Sequence, residues 1–103
     1  MSTAKINAGI CGFDTLVEVK LEGDLANIII SSGCDAIQRL ANELHQVNPY
    51  KEISTRRSIP QTLQMGMKYC THAACPVPVG IIKAIEVEAN LALPAEVTIS
   101  IQK

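Results

Sequence analysis

The chain has no tryptophan, one phenylalanine and two tyrosines among its 103 residues. So few rings leave little on which nucleic-acid bases could stack, and a formal net charge of −1 supplies no cationic footprint. The one basic stretch, residues 51–68, sets Lys51, Arg56, Arg57 and Lys68 against Glu52 and reads as a solvated loop. No nucleic acid is expected as a partner. Also missing are an apolar run of membrane-spanning length, an internal repeat and a low-complexity tract. There is no phosphate-binding glycine loop, no Ser-His-Asp order and no paired catalytic carboxylates, so an enzyme reading rests only on a reactive cysteine. The opening MSTAKINAGI lacks the charged-then-apolar layout of a signal peptide. The expectation is a protein of the reducing cytoplasm with no membrane association. Its cysteines are then expected as thiols or metal ligands rather than disulfides.

What is present suffices for a core. Apolar residues make up 48% of the chain and charged residues 18%, a globular balance, and the length suits one domain spanning 1–103. Residues 5–10 alternate, with Ile6, Ala8 and Ile10 on one face, and read as a first strand. Residues 15–22 alternate with Val17, Val19 and Leu21 inward. Gly23-Asp24 supplies a turn, and residues 25–31, with three consecutive isoleucines, read as a more buried partner strand. The period then changes: Ile37, Leu40, Ala41 and Leu44 form a helical stripe, with Ser32 or Asp35 available as caps and Asn48-Pro49 as the stop. Residues 49–68 read as a long loop with room for a short helix at 61–67. A helix over about 76–93 follows, opened by Pro76 at its first position and blocked by Pro94. Val97, Ile99 and Ile101 alternate with Thr98, Ser100 and Gln102 and predict a last strand joining the sheet. The order βββα–loop–αβ predicts an α+β two-layer sandwich, a mostly antiparallel sheet with helices on one face.

Each of the four cysteines follows or opens an element: Cys11 after the first strand, Cys34 at the first helix start, Cys70 and Cys75 around the last helix start. Such junctions can converge at one rim of a sheet backed by helices. Thiolates gathered from Cys11, Cys34, Cys70 and Cys75 would bind zinc or an iron–sulfur cluster. Helix N-termini at Cys34 and Cys75 favour the thiolate, and Gly12 and Gly33 beside the ligands would let the backbone approach the metal. His72 and Asp14 are substitutes for a cysteine ligand, although a solvated histidine and a turn aspartate are the ordinary roles of such residues. His45 is expected at the surface, and Met65 and Met67 are expected to fill gaps in the core. The competing readings of the cysteines are small buried hydrophobes and disulfides.

The order Cys11-Gly12, two strands, Gly33-Cys34-x-Ala36-Ile37, a helix and a late Cys75 opening an IIKAI helix resembles the U-type iron–sulfur scaffold family, the IscU and NifU N-terminal type. That resemblance implies the same α+β fold, transient cluster assembly, and Cys11, Cys34 and Cys75 as ligands. Phe13 stands where that family has an aspartate, Ala74 where it has a histidine, and its chaperone-recognition segment is absent; Cys70 is an additional thiol. The reading is a cluster-binding or zinc-binding protein for scaffolding, carriage or sensing, with a cluster or sulfur donor or acceptor protein as partner. Cys75-Pro76-Val77-Pro78, followed by a helix, is similar to the CPxP motif of TusA-type sulfur carriers. It implies the alternative, a persulfide carried on Cys75.

Overall fold

The sheet is a meander that the turns make almost unavoidable. A computed structural model describes residues 1–103. Strands β1 (Ser2–Asn7), β2 (Asp14–Glu22) and β3 (Leu25–Ser32) pair antiparallel in sequence order, and β4 (Gln46–Val47) closes the far edge against Ala26 and Asn27. Glu22 and Leu25 face each other across a two-residue turn whose first residue, Gly23, has φ +61°. That conformation matches the twist of the flanking strands and is one a side chain resists. The β1–β2 turn at 8–13 is wider and is closed by the Gly12 amide donating to Gly9 O at 2.9 Å.

Side-chain alternation then separates the two faces. Val17, Val19, Ala26 and Ile28 point to the helical side and are buried. Helix α1 (Asp35–Glu43) covers β3 with Ile37 and Leu40, and its C-cap Leu44 is buried too. Helix α4 (Val77–Glu88) covers β1 and β2 with Val77, Ile81, Ala84 and Ile85. Between them lie the short α2 (Pro49–Glu52) and α3 (Gln61–Tyr69). The protein is an α+β two-layer sandwich with one sheet face open, and no helix is long and apolar enough to cross a membrane.

Several local expectations are corrected. The first strand ends at Asn7, and Ile10 is fully exposed on the turn rather than inward. The isoleucine run is not uniformly buried: Ile28 is covered but Ile29 is 64% exposed, because the other face of the sheet has no second layer. α1 stops at Glu43, since residues 46–47 return to the sheet edge. α4 stops at Glu88, before Pro94 can act. Asn90 takes φ +59°, its amide donates to Val87 O and that of Leu91 to Glu86 O, a Schellman ending. Residues 97–101 form no strand; they are extended, exposed and paired with nothing. Their alternation is a strand pattern without a ladder beside it.

The stretch 49–68 holds the short helix expected at 61–67, as α3, and a further one, α2, and a buried polar contact joins them across the loop between. The Glu52 carboxylate is 3% exposed and accepts from the Gln61 amide (3.0 Å), the Thr62 amide (2.8 Å) and the Thr62 hydroxyl (2.6 Å). Those amides are free donors of α3's first turn, where the macrodipole also favours an anion. A carboxylate nine residues upstream thus does the capping that Pro60, at the N-cap, cannot.

Candidate metal centre

Three of the four cysteines meet on the helical side, at the seam where one helix ends and two begin. Cys34 is the N-cap of α1; the Ser32 hydroxyl accepts from its amide at 3.2 Å and from the Thr15 hydroxyl at 2.9 Å. Cys70 is the C-cap of α3, its amide donating to Gly66 O at 2.9 Å. Cys75 precedes Pro76, the N-cap of α4, and its amide donates to His72 O at 3.2 Å. All three are half-buried and pack against the core.

The packing that gathers them is tight. A Cβ on Gly66, in α3, would lie 2.8 Å from Pro78 Cγ of α4, so the absence of a side chain there sets how closely the two helices approach. A Cβ on Gly80 would lie 2.3 Å from Ile6 Cδ1, fixing α4 low over β1. At the far side of Cys70, Tyr69 donates from its hydroxyl to Glu43, and Lys68 reaches the same carboxylate at 3.3 Å. The end of α3, and Cys70 with it, is thereby tied to the end of α1. Those two donors, Tyr69 first, hold the Glu43 carboxyl below its ordinary range.

Electrostatics divides the trio. Cys34 and Cys75 stand at the N-terminal ends of α1 and α4, where exposed amides favour an anion. Cys70 stands at the C-terminal end of α3, where they do not. Burial first, then the neighbouring Cys75 sulfur and the charge of Cys34, push the Cys70 thiol up to about 12. Cys70, which opens no helix, is thereby held as the thiol. As the side chains stand, no three His, Cys, Asp or Glu donors surround a common point.

Cys11 is not brought to the trio. It is exposed on the β1–β2 turn, although that turn and the end of β3 belong to the same rim, as Asn7 opposite Asp14 and Thr15 opposite Ser32 require. Asp14 is exposed, and the strand alternation sends it to the open face, away from the helical side. His72 is exposed and meets Cys75 only through its backbone oxygen. His45 lies at the surface, its ring bonded to Asn42 O. Met65 fills the core beside the cysteines, whereas Met67 is 79% exposed. Gly33 has a different part from the one expected of it: a Cβ there would sit 3.2 Å from Phe13 Cδ1, so it makes room for the ring that closes the rim.

Sequence reasoning missed the residues that hold the site together. Gly66 and Gly80 carry a weak signal, glycine inside a helix, which marks a close approach. Glu52 carries none, because its partners lie in another element. On the open face a shallow hollow of about 710 Å³, lined by Lys5, Asn7, Asp14, Leu16 and Ser31, contains no thiol. No curated protein and no solved structure matches the chain. A model for DUF6951, a family of unknown function, matches residues 2–101, and the chain belongs to that family.

Proposed function

We propose that this protein binds an iron–sulfur cluster, or zinc in its place, through Cys34, Cys70 and Cys75, with Cys11 swung in on the β1–β2 turn as the fourth ligand when the site loads. The role is cluster scaffolding, carriage or sensing, and the partner is a protein that donates or accepts the cluster or its sulfur. The observation that supports the reading is the convergence of three thiols from three segments on one half-buried spot. Bound iron or zinc would supply the positive charge that lets three thiolates share it. The amides at the starts of α1 and α4 offset part of the remaining negative charge at Cys34 and Cys75. The Cys70 proton must leave on loading, so retention strengthens as pH rises. The open turn at Cys11 leaves the fourth ligand at the surface, where a cluster could be passed on.

The test is anaerobic purification with metal and acid-labile sulfide analysis and a visible spectrum. Iron with sulfide supports the cluster reading, and colourless stoichiometric zinc supports a structural centre. Serine at Cys34, Cys70 or Cys75 should each abolish metal retention, and serine at Cys11 should weaken it. A metal-free protein in which Cys75 alone takes up a persulfide overturns the proposal in favour of a sulfur carrier.

A further inference from the structure

The C-terminal segment and the outer edge of β1 are each incomplete. Residues 97–102 carry the alternation of a strand, yet Val97, Ile99 and Ile101 are 57%, 74% and 88% exposed. None of residues 92–103 enters a backbone hydrogen bond, and the segment lies outside every element. The molecule is elongated, measuring 43 Å along one axis against 27 and 26 Å along the others. Ten extended residues span about 33 Å, enough to account for the difference. β1, meanwhile, is the outermost strand, and nothing bonds to its outer side. Its ladder with β2 runs unbroken from Ser2 opposite Val19 to Asn7 opposite Asp14. Of the usual protections of an edge it has neither proline nor bulge, and only one charge, Lys5.

We infer that two copies of this chain pair by reciprocal strand exchange, residues 97–102 of each adding to the free edge of the other's β1. The tail and the edge are complementary parts of one chain. One chain carries both the donor strand and the acceptor edge, each of six residues. A closed two-fold pair then satisfies both tails and both edges at once. A different partner would leave one of the two open. The side chains agree. On the helical side β1 presents Ser2, Ala4 and Ile6, small at two of three positions and only half-covered. Gly80 of α4, seven residues before Val87, meets Ile6, so the half-buried Val87 lies on the same stripe above this edge. Val97, Ile99 and Ile101 share one face, and laid beside β1 on that side they extend the core under α4. The tail leaves α4 near Ser2, whose hydroxyl donates to Glu88 at 2.9 Å, so donor and acceptor lie close to the pair's axis.

The inference does not depend on the cysteine reading. Sedimentation of the full chain over a concentration series tests it, with Ile99→Lys/Ile101→Lys as the variant. Both residues are exposed, so the helical circular-dichroism signal of the body should not change. The wild type should sediment as a dimer, and the variant should dimerise at least about 100-fold more weakly. In mixed dimers of labelled and unlabelled chains, isotope-filtered NOEs should connect the tail of one copy to β1 of the other. A wild type that stays monomeric overturns the inference. So does a dimer that survives both lysines, and so do tail-to-β1 NOEs found only within one copy.

Discussion

Replacing Glu52 by alanine removes the acceptor for three donors at once. Two are first-turn amides of α3, and Thr62 is fully buried, so water does not simply take the place of the carboxylate there. A buried donor left unpaired costs on the order of 1–3 kcal/mol. The Thr62 hydroxyl can rotate toward another acceptor and Gln61 is at the exposed end, so the lower half of that range applies to each. The total expected is about 3–6 kcal/mol, a large share of the ~5–15 kcal/mol that holds a domain of this size. Glu52→Gln keeps one acceptor oxygen but turns an NH₂ toward the remaining donor, and should cost about 2 kcal/mol. Thr62→Val removes only the hydroxyl and should cost about 1 kcal/mol; in a double-mutant cycle with Glu52→Ala it should show coupling of similar size. Urea unfolding followed by circular dichroism measures each, with an unchanged m-value as the control for a two-state comparison. Because α3 ends at Cys70, the same variants should also speed alkylation of that thiol in native buffer. If Glu52→Ala cost less than about 1 kcal/mol, or left Cys70 as protected as before, the assignment of Glu52 as the remote cap of α3 would be refuted.

Other outcomes follow from the same contacts. Gly66→Ala drives a methyl to within 2.8 Å of the rigid Pro78 ring, and overpacking of about 1–3 kcal/mol outweighs a helix-propensity gain of about 1 kcal/mol. Thermal unfolding should drop, and a loaded metal should be lost faster as α3 and α4 separate. Glu88 accepts from the Leu21 amide, chiefly, and from Ser2 and the N-terminal ammonium, and these hold its carboxyl below the ordinary 4.5. A depressed carboxyl contributes stability above its unfolded value and loses it as pH falls through the folded one. Stability should therefore decline below about pH 4.5, and Glu88→Gln should flatten that slope in denaturation curves at stepped pH. Cys70 shifts the other way, and folding opposes its ionisation between the ordinary 9.0 and about 12. Stability should fall as pH rises through that window, less so in Cys70→Ser. In mass-spectrometric alkylation of the metal-free protein, the exposed Cys11 should react first and Cys70 last.

How legible the fold was depended on whether the deciding contact was local. The strand alternation of residues 15–22, the Gly23-Asp24 turn and the Ile37, Leu40, Leu44 stripe each carry their own instruction, and all appear as read. The errors cluster where a distant partner decides. Nothing in the sequence of 49–60 says that Glu52 will be buried under α3. β4 is two residues long and exists only because β3 offers Ala26 and Asn27 an open side. Asn90 ended α4 ahead of Pro94, since a left-handed residue with two backward amide bonds terminates a helix as firmly as a proline does. Residues 97–101 show the reverse case. Periodicity states what a segment is fit for, and only the surrounding backbone decides whether it pairs.

The cysteines divide along the same line. Cys34 and Cys75 could be placed from sequence because a helix start is locally encoded, and each start carries its cysteine to the end of the sheet where β3 leaves off. Cys70 could be placed near Cys75 by adjacency alone. What sequence could not supply was the difference between being at one rim and being within reach. The β1–β2 turn shares the rim yet carries Cys11 outward, because its backbone is committed to closing on itself through Gly9 and Gly12. Placement also sets the state of Cys70. Burial, then the neighbouring Cys75 sulfur, raises its pKa. Cys70 is therefore the thiol of the three that burial keeps protonated.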